Sequence, residues 1–171
     1  MKHILIITFS IILLTSPLFG QSERHETIII PIDQARPGFD TKYKMVYQNK
    51  GNKTVSGQIR LSFNDTIMDV ISNSPNFESD SINSLQWEFT NLLPFEKREI
   101  NFTMNLNSPV EEPALLGNET ITFISSIKIA QTEDSVSNNS FTLNQQLVNS
   151  YDPNDKTCLE GNFLLPEKVG S

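Results

Sequence analysis

Alternation of apolar and polar residues with a period of two constrains this chain more than any other feature. The clearest case is Ile100 to Leu106, where Ile, Phe, Met and Leu alternate with Asn and Thr. Successive side chains of a β-strand point to opposite faces, so this pattern predicts a strand with one buried and one solvated face. A helix would need apolar spacings of three and four, which no stretch keeps for long.

The same pattern predicts seven further strands, giving about seven or eight in all. They are centred on Thr27 to Ile32, Tyr43/Met45/Tyr47, Ile59/Leu61/Phe63, Ile67 to Ile71, Leu85/Trp87/Phe89, Ile121 to Ile129, and Phe141/Leu143 with a slipped Leu147. Turn-forming residues separate the strands, and we expect Asn49-Lys50-Gly51-Asn52 and Asn64-Asp65 each to close a hairpin. Strands at this spacing without intervening helices predict an all-β, antiparallel two-sheet sandwich with Trp87 at the core; a closed barrel is the alternative.

The first twenty residues have the features of a secretory signal peptide. Lys2 and His3 precede an apolar run from Ile4 to Leu14, and Ser16 to Gly20 supply a helix breaker and a small residue before a cleavage site. A helix that crosses a bilayer needs about 20 apolar residues, so this run favours cleavage before Gln21 over a retained anchor, the alternative. The sequence therefore predicts a signal-peptide helix over residues 1–20 and export to the periplasm, cell surface or medium.

The charge of the remaining chain limits its partners. The 151 residues after Gly20 hold all 20 acidic residues and 12 of the 13 basic ones, a formal charge of −8. Nucleic acid and anionic membranes bind basic surfaces, so neither is an expected partner, and no membrane span is expected after cleavage. The length fits one domain, which we place at residues 21–149.

The sequence also lacks the parts of a catalytic site. Cys158 is the only cysteine, and His25, the only histidine after Gly20, is expected near a frayed N-terminus. No Ser-His-Asp set with a usable histidine, no Gly-rich phosphate loop, no His-Glu-x-x-His and no paired cysteine ligands are present. We therefore expect no enzyme activity and no cofactor.

Three stretches carry a resemblance to a known family. They are Ala35-Arg36-Pro37-Gly38-Phe39 leading into Tyr43-x-Met45-x-Tyr47-x-Asn49-x-Gly51; Trp87-x-Phe89-x-Asn91-Leu92-Leu93-Pro94-Phe95-Glu96; and Phe141-Thr142-Leu143-Asn144-Gln145 followed by Ser150-Tyr151-Asp152-Pro153-Asn154-Asp155-Lys156. Together they resemble the Ig-like repeat modules of secreted and cell-surface proteins of Bacteroidota, which precede a type IX secretion sorting domain. The resemblance spans roughly residues 30–165. It implies an Ig-like stalk or spacer, with residues 150–171 as a linker to a following module that this apparently truncated chain lacks.

Two further groups of residues predict sites. Asp152, Asn154 and Asp155 offer the oxygen ligands that calcium takes, although Asp, Pro and Asn in this order also form a rigid turn, and both interpretations stay open. Thr66, Ser81 and Ser135 stand in Asp-Ser/Thr-aliphatic triplets that are similar to the O-glycosylation signal of the same bacterial group.

The most direct functional hypothesis is a non-catalytic structural or adhesive spacer of an exported protein. The alternative is a module that binds carbohydrate or a protein through end loops at 72–84 and 107–118, the longest and richest in Asn, Ser and Pro. An exposed aromatic cluster on one sheet face would favour the binding module, and its absence would favour the spacer.

Overall fold

A computed structural model describes residues 24–130 and 139–149, and every regular element within these ranges is a β-strand. The strands are β1 (His25–Pro31), β2 (Asp40–Asn49), β3 (Val55–Ser62), β4 (Met68–Ser74), β5 (Ser79–Ser81), β6 (Ser84–Leu92), β7 (Lys97–Leu106), β8 (Thr120–Ile129) and β9 (Ser140–Gln146). The predicted signal peptide, residues 150–171, Ser135 and Cys158 lie outside the described residues.

The strands form two antiparallel sheets, which confirms the predicted all-β, Ig-like sandwich. One sheet has four strands in the order β1-β2-β7-β4, and the other has five in the order β5-β6-β3-β8-β9. Because the two sheets are separate, the alternative of a closed barrel is wrong. The described strands number nine because β5, only three residues long, lies within what the sequence presents as a polar connection.

The core lies between the sheets and consists of the inward-facing rows that the alternation predicts. Trp87 is 3% exposed, and its indole Nε1 donates to the carbonyl of Pro75 at 2.9 Å. The ring of Tyr43 stacks on Phe102 at 5.2 Å between centroids and meets Phe123 at 4.8 Å. Rings at these separations attract one another beyond the effect of apolar burial, so this cluster joins β2, β7 and β8 across the sandwich.

Both hairpin predictions are wrong. The connection at Asn49 to Asn52 leads from β2 in the four-stranded sheet to β3 in the five-stranded sheet, and Asn64-Asp65 leads back from β3 to β4. The prediction failed because a chain that crosses between sheets needs the same turn residues as one that folds back on its neighbour. Local sequence does not distinguish the two paths.

His25 also differs from expectation. It is the first residue of β1, lies opposite Asn49 of β2 and is fully buried, so it is not part of a frayed end. Thr27 and Ile29 are buried as well, which shows that the inward-facing row of β1 begins two residues before the segment that the sequence predicts.

Strand pairing places the first and the last strand ends of the described domain at opposite ends of the sandwich. His25 pairs with Asn49 beside the 50–54 and 93–96 connections, which we call the N-terminal pole. Gln146 pairs with Thr120 beside the 32–39, 63–67 and 107–119 connections, the C-terminal pole. The backbone therefore enters the described domain at one pole and leaves it at the other.

Candidate functional site

Asn49, one of the residues that carry the family resemblance, has a structural role. Asn49 is fully buried and its amide Nδ2 donates to the carbonyls of Lys53 at 2.7 Å and Leu92 at 3.1 Å, while its Oδ1 accepts from Gly51 N at 2.9 Å. These bonds fix the crossing from β2 to β3 and join it to β6.

A second network, around Arg98, holds the β6–β7 connection. The Arg98 guanidinium pairs with Glu96 at 2.7 Å and donates to the carbonyls of Thr90 and Asn91 at 2.9 and 3.0 Å. Glu96 also accepts from Leu93 N at 2.7 Å. The hydrogen bond from Arg98 is the main cause that holds the pKa of Glu96 below its ordinary value, with the Leu93 N–H second. No sequence motif predicts the role of Arg98, because two of its partners are backbone carbonyls of another strand.

Two other glutamates cap loops at the C-terminal pole in the same way. Glu111 accepts from Ser108 N, and Glu119 accepts from the backbone N–H groups of Leu116, Gly117 and Asn118 at 2.8 to 3.1 Å. These backbone hydrogen bonds lower the pKa of both carboxyl groups, because they stabilise the ionised form. Such a concave set of N–H groups binds an anion, and here the chain supplies that anion itself.

Two of the three predicted glycosylation residues lie within the described ranges, and both are exposed. The Thr66 hydroxyl donates to Asn64 Oδ1 at 2.8 Å, and the Ser81 hydroxyl shares a hydrogen bond with Ser84 at 2.8 Å. The two triplets meet through Asn83, whose Oδ1 accepts from Asp65 N at 2.9 Å and whose own N donates to Asp65 Oδ2 at 3.3 Å. Segments 15 residues apart in sequence are thus brought to one edge of the sandwich.

The two predicted binding loops occupy different places. Residues 107–118 lie at the C-terminal pole, where the Asn107 amide donates to the carbonyls of Thr66 and Pro113 at 3.1 and 3.0 Å. Residues 72–84 are not an end loop: they contain the end of β4 and all of β5, and they run along the side of the sandwich where the edge strands β4 and β5 face each other.

A groove of about 580 Å³ opens on that side, and we call it the β4–β5 groove. Its apolar lining includes Phe63, Val70 and Phe77, all partly buried against the core. Exposed Ile71 and Ile82 also line it, together with three carboxylates, Asp65, Asp69 and Asp80. None of the described residues that line this groove is a lysine or an arginine.

Neither outer sheet face carries an aromatic cluster in the part of the chain that the structure describes. The exposed aromatic residues there are Phe39 and Phe95, which lie in loops at opposite poles. The predicted calcium ligands Asp152, Asn154 and Asp155 lie beyond the described ranges. Within residues 24–130 and 139–149 no group of three His, Cys, Asp or Glu could hold a metal ion, and no helix is long and apolar enough to cross a membrane.

Comparison with known proteins supports the fold. No protein-family model and no curated protein matches the chain. Among solved structures, the chain is similar to the CARDB domain of the PF1109 protein from Pyrococcus furiosus, with 16% identity, 78% of this chain and 95% of that chain covered, and a TM-score of 0.53. It is also similar to the cohesin module of a Clostridium perfringens family 33 glycoside hydrolase, with 7% identity, 75% and 99% covered, and a TM-score of 0.51. At these identities the likeness shows an Ig-like sandwich and nothing finer.

Proposed function

We propose that this chain is a non-catalytic structural spacer module of an exported bacterial cell-surface or secreted protein. The observation that carries the proposal is the path of the backbone, which enters at the N-terminal pole and leaves at the C-terminal pole. Modules with this geometry add their lengths when they are joined in series. The ten-residue strands β2, β7 and β8 extend about 33 Å each at about 3.3 Å per residue, which sets the scale of the contribution.

Contacts between the sheets support the same role, because they tie the strands nearest the two chain ends to the rest of the fold. The Thr27 hydroxyl on β1 donates to Ser125 on β8 at 3.1 Å, and the Tyr43 hydroxyl on β2 donates to Gln145 on β9 at 2.9 Å. Strands β1 and β9 both run from the N-terminal to the C-terminal pole. Tension between the chain ends would therefore act along the strands and load many hydrogen bonds at once.

Single-molecule force spectroscopy tests this mechanical role. The full chain, with Cys158→Ser, is pulled either from its two termini or from cysteines that replace Glu88 and Asn101, which are exposed on the outer faces of the two sheets. Pulling across the sheets opens hydrogen bonds one after another, so we expect a clearly lower unfolding force than for pulling between the termini. Equal forces in the two geometries would contradict a load-bearing role.

The sequence of residues 1–20 supports export as part of the proposal. We expect the mature N-terminus to be Gln21 in protein recovered from outside the inner membrane. Edman sequencing or mass spectrometry of that protein checks this, and a retained Met1 would contradict it.

We further propose Thr66, Ser81 and Ser135 as O-glycosylation sites; the exposure of Thr66 and Ser81 supports their access to a transferase. The intact mass of native protein should exceed the mass of the sequence from Gln21 onward and should fall when the three residues are replaced by Ala. Thr90→Ala, at an exposed threonine outside any such triplet, is the matched control and should leave the added mass unchanged. An unmodified native mass would refute the assignment.

Calcium binding by Asp152, Asn154 and Asp155 remains a second proposal, carried by the chemistry of the side chains alone. Calorimetric titration with calcium should give heat that disappears in the variant with all three replaced by Ala. No heat and no thermal shift at millimolar calcium would leave the rigid turn as the role of these residues.

A further inference from the structure

The β4–β5 groove has a structural feature that a spacer does not need: β4 is an edge strand, and no described strand pairs with it on the side away from β7. Asn107 N donates to the carbonyl of Ile67, which makes Ile67–Asn107 a hydrogen-bonded pair of the β4–β7 ladder. Hydrogen-bonded and non-hydrogen-bonded pairs alternate in an antiparallel ladder, so Met68 and Val70 belong to the other class. Their N–H and C=O groups therefore point away from β7, toward the open side of the sandwich.

The side chains beside that edge favour one kind of ligand. Phe63, Val70 and Phe77 give the groove an apolar floor, and Ile71 stands 53% exposed at its margin. Burying such surface is favourable. The charge along the groove has a single sign, since Asp65, Asp69 and Asp80 line it and no lysine or arginine of the described ranges does.

We propose that the β4–β5 groove binds a short extended peptide segment of a partner protein, in which basic and apolar residues alternate, as an added strand at the free edge of β4. Alternate side chains of an added strand point in opposite directions, so apolar residues would lie on the same face as Val70 and enter the groove, while lysines would lie on the other face, beside Asp69. The paired length is short, because the β-bulge between Val70 and Ser72 interrupts the edge. This inference goes beyond the proposed spacer role and does not depend on it.

The probe is a fluorescein-labelled peptide, Lys-Val-Lys-Val-Lys-Val-Lys, added to the full ¹⁵N-labelled chain made in a host without O-glycosylation. We expect saturable binding by anisotropy, weakening as salt rises, with amide shift changes concentrated in β4, β5 and the 63–67 connection. The matched peptide with Glu for Lys should not bind. A peptide N-methylated at alternate residues keeps charge and side chains but cannot pair with the edge, so it should bind at least several-fold more weakly.

Variants of the chain locate the site. The double variant Asp69→Asn with Asp80→Asn should raise the Kd by about three- to tenfold, since each exposed charge pair contributes modestly. Glu88→Gln, which removes an exposed carboxylate on the outer face of the five-stranded sheet, should change the Kd by less than about twofold. Val70→Pro removes an N–H that β7 does not use and should abolish binding; if this variant does not fold, the N-methylated peptide makes the same test.

Four results with the peptides would overturn the inference. They are no binding at millimolar peptide, equal binding of the Lys and Glu peptides, shift changes away from the groove, and unweakened binding of the N-methylated peptide. Concentration-dependent self-association with shift changes in β4 in the absence of peptide would also overturn it, because it would make a second copy of the chain the occupant.

Discussion

Asn49 offers a sharp test of whether the motif residues of this chain act structurally. Its side chain makes three hydrogen bonds in a fully buried position, donating to the carbonyls of Lys53 and Leu92 and accepting from Gly51 N. Each such bond contributes about 0.5–1.5 kcal/mol net. Asn49→Ala should therefore lower the free energy of unfolding by about 2–4 kcal/mol, out of the total of about 5–15 kcal/mol typical of a domain.

Asn49→Asp sharpens the prediction, because it preserves shape and the acceptor for Gly51 while replacing the donor with a carboxylate oxygen. That oxygen would face the carbonyls of Lys53 and Leu92, so at pH 7 we expect a loss at least as large as for Ala. Burial and the two carbonyls would raise the pKa of the new carboxyl in the folded state. Its penalty is then absent below the unfolded pKa of about 3.9 and grows as the pH rises above it.

Urea and thermal unfolding measure the loss of stability. They are carried out on the parent, on Asn49→Ala and Asn49→Asp, and on Asn101→Asp, an exposed control on β7. At pH 7 the midpoint of thermal unfolding should fall by roughly 6–12 °C for Asn49→Ala, at about 3 °C per kcal/mol. The difference in the free energy of unfolding between Asn49→Asp and the parent should become smaller as the pH falls from 7 to 4. Stabilities of both variants within about 0.5 kcal/mol of the parent, the usual scatter of surface substitutions, would refute the structural role of Asn49.

Two further predictions concern close packing and pH. Gly57→Ala should destabilise the domain by about 1–3 kcal/mol or more, because the added Cβ would lie 2.2 Å from the Lys128 carbonyl oxygen and 2.8 Å from the Ile129 Cα, both backbone atoms of β8. Urea unfolding measures the loss of stability. An unchanged urea midpoint would show that β3 and β8 can move apart to admit the Cβ without a cost in stability. The lowered pKa values of Glu96, Glu111 and Glu119 predict a contribution to stability that is present above their unfolded pKa of about 4.3 and is lost as the pH falls through their lower folded values. Replacing the three by Gln should flatten the fall in stability between about pH 5 and about pH 3, and an equally steep fall would contradict the assignment.

The fold was predictable from sequence where a strand has one buried and one wet face. The row from Ile100 to Leu106 and the row around Trp87 are strands with the predicted faces buried, because period-two alternation is a local property. Which strands pair was not predictable at the connections after Asn49 and Asn64, since the same turn residues serve both a hairpin and a crossing to the other sheet.

The candidate sites were also predictable only in part. Sequence motifs predicted Thr66 and Ser81 separately, but only the tertiary structure shows that Asn83 joins their triplets at one edge. No motif predicted the role of Arg98, because two of its partners are backbone carbonyls, which every residue carries.

The sequence by itself determined that this chain forms alternating strands, with Trp87 on a buried face, and that it lacks the motifs of the common catalytic sites. Both are local properties, set by which residue types occur and how they are spaced. The tertiary structure alone decided that the strands form two separate sheets, that the backbone enters and leaves the described domain at opposite poles, and that β4 is an edge strand beside an apolar groove lined by carboxylates. These features depend on which strands pair, and pairing is decided by burial summed over the whole core.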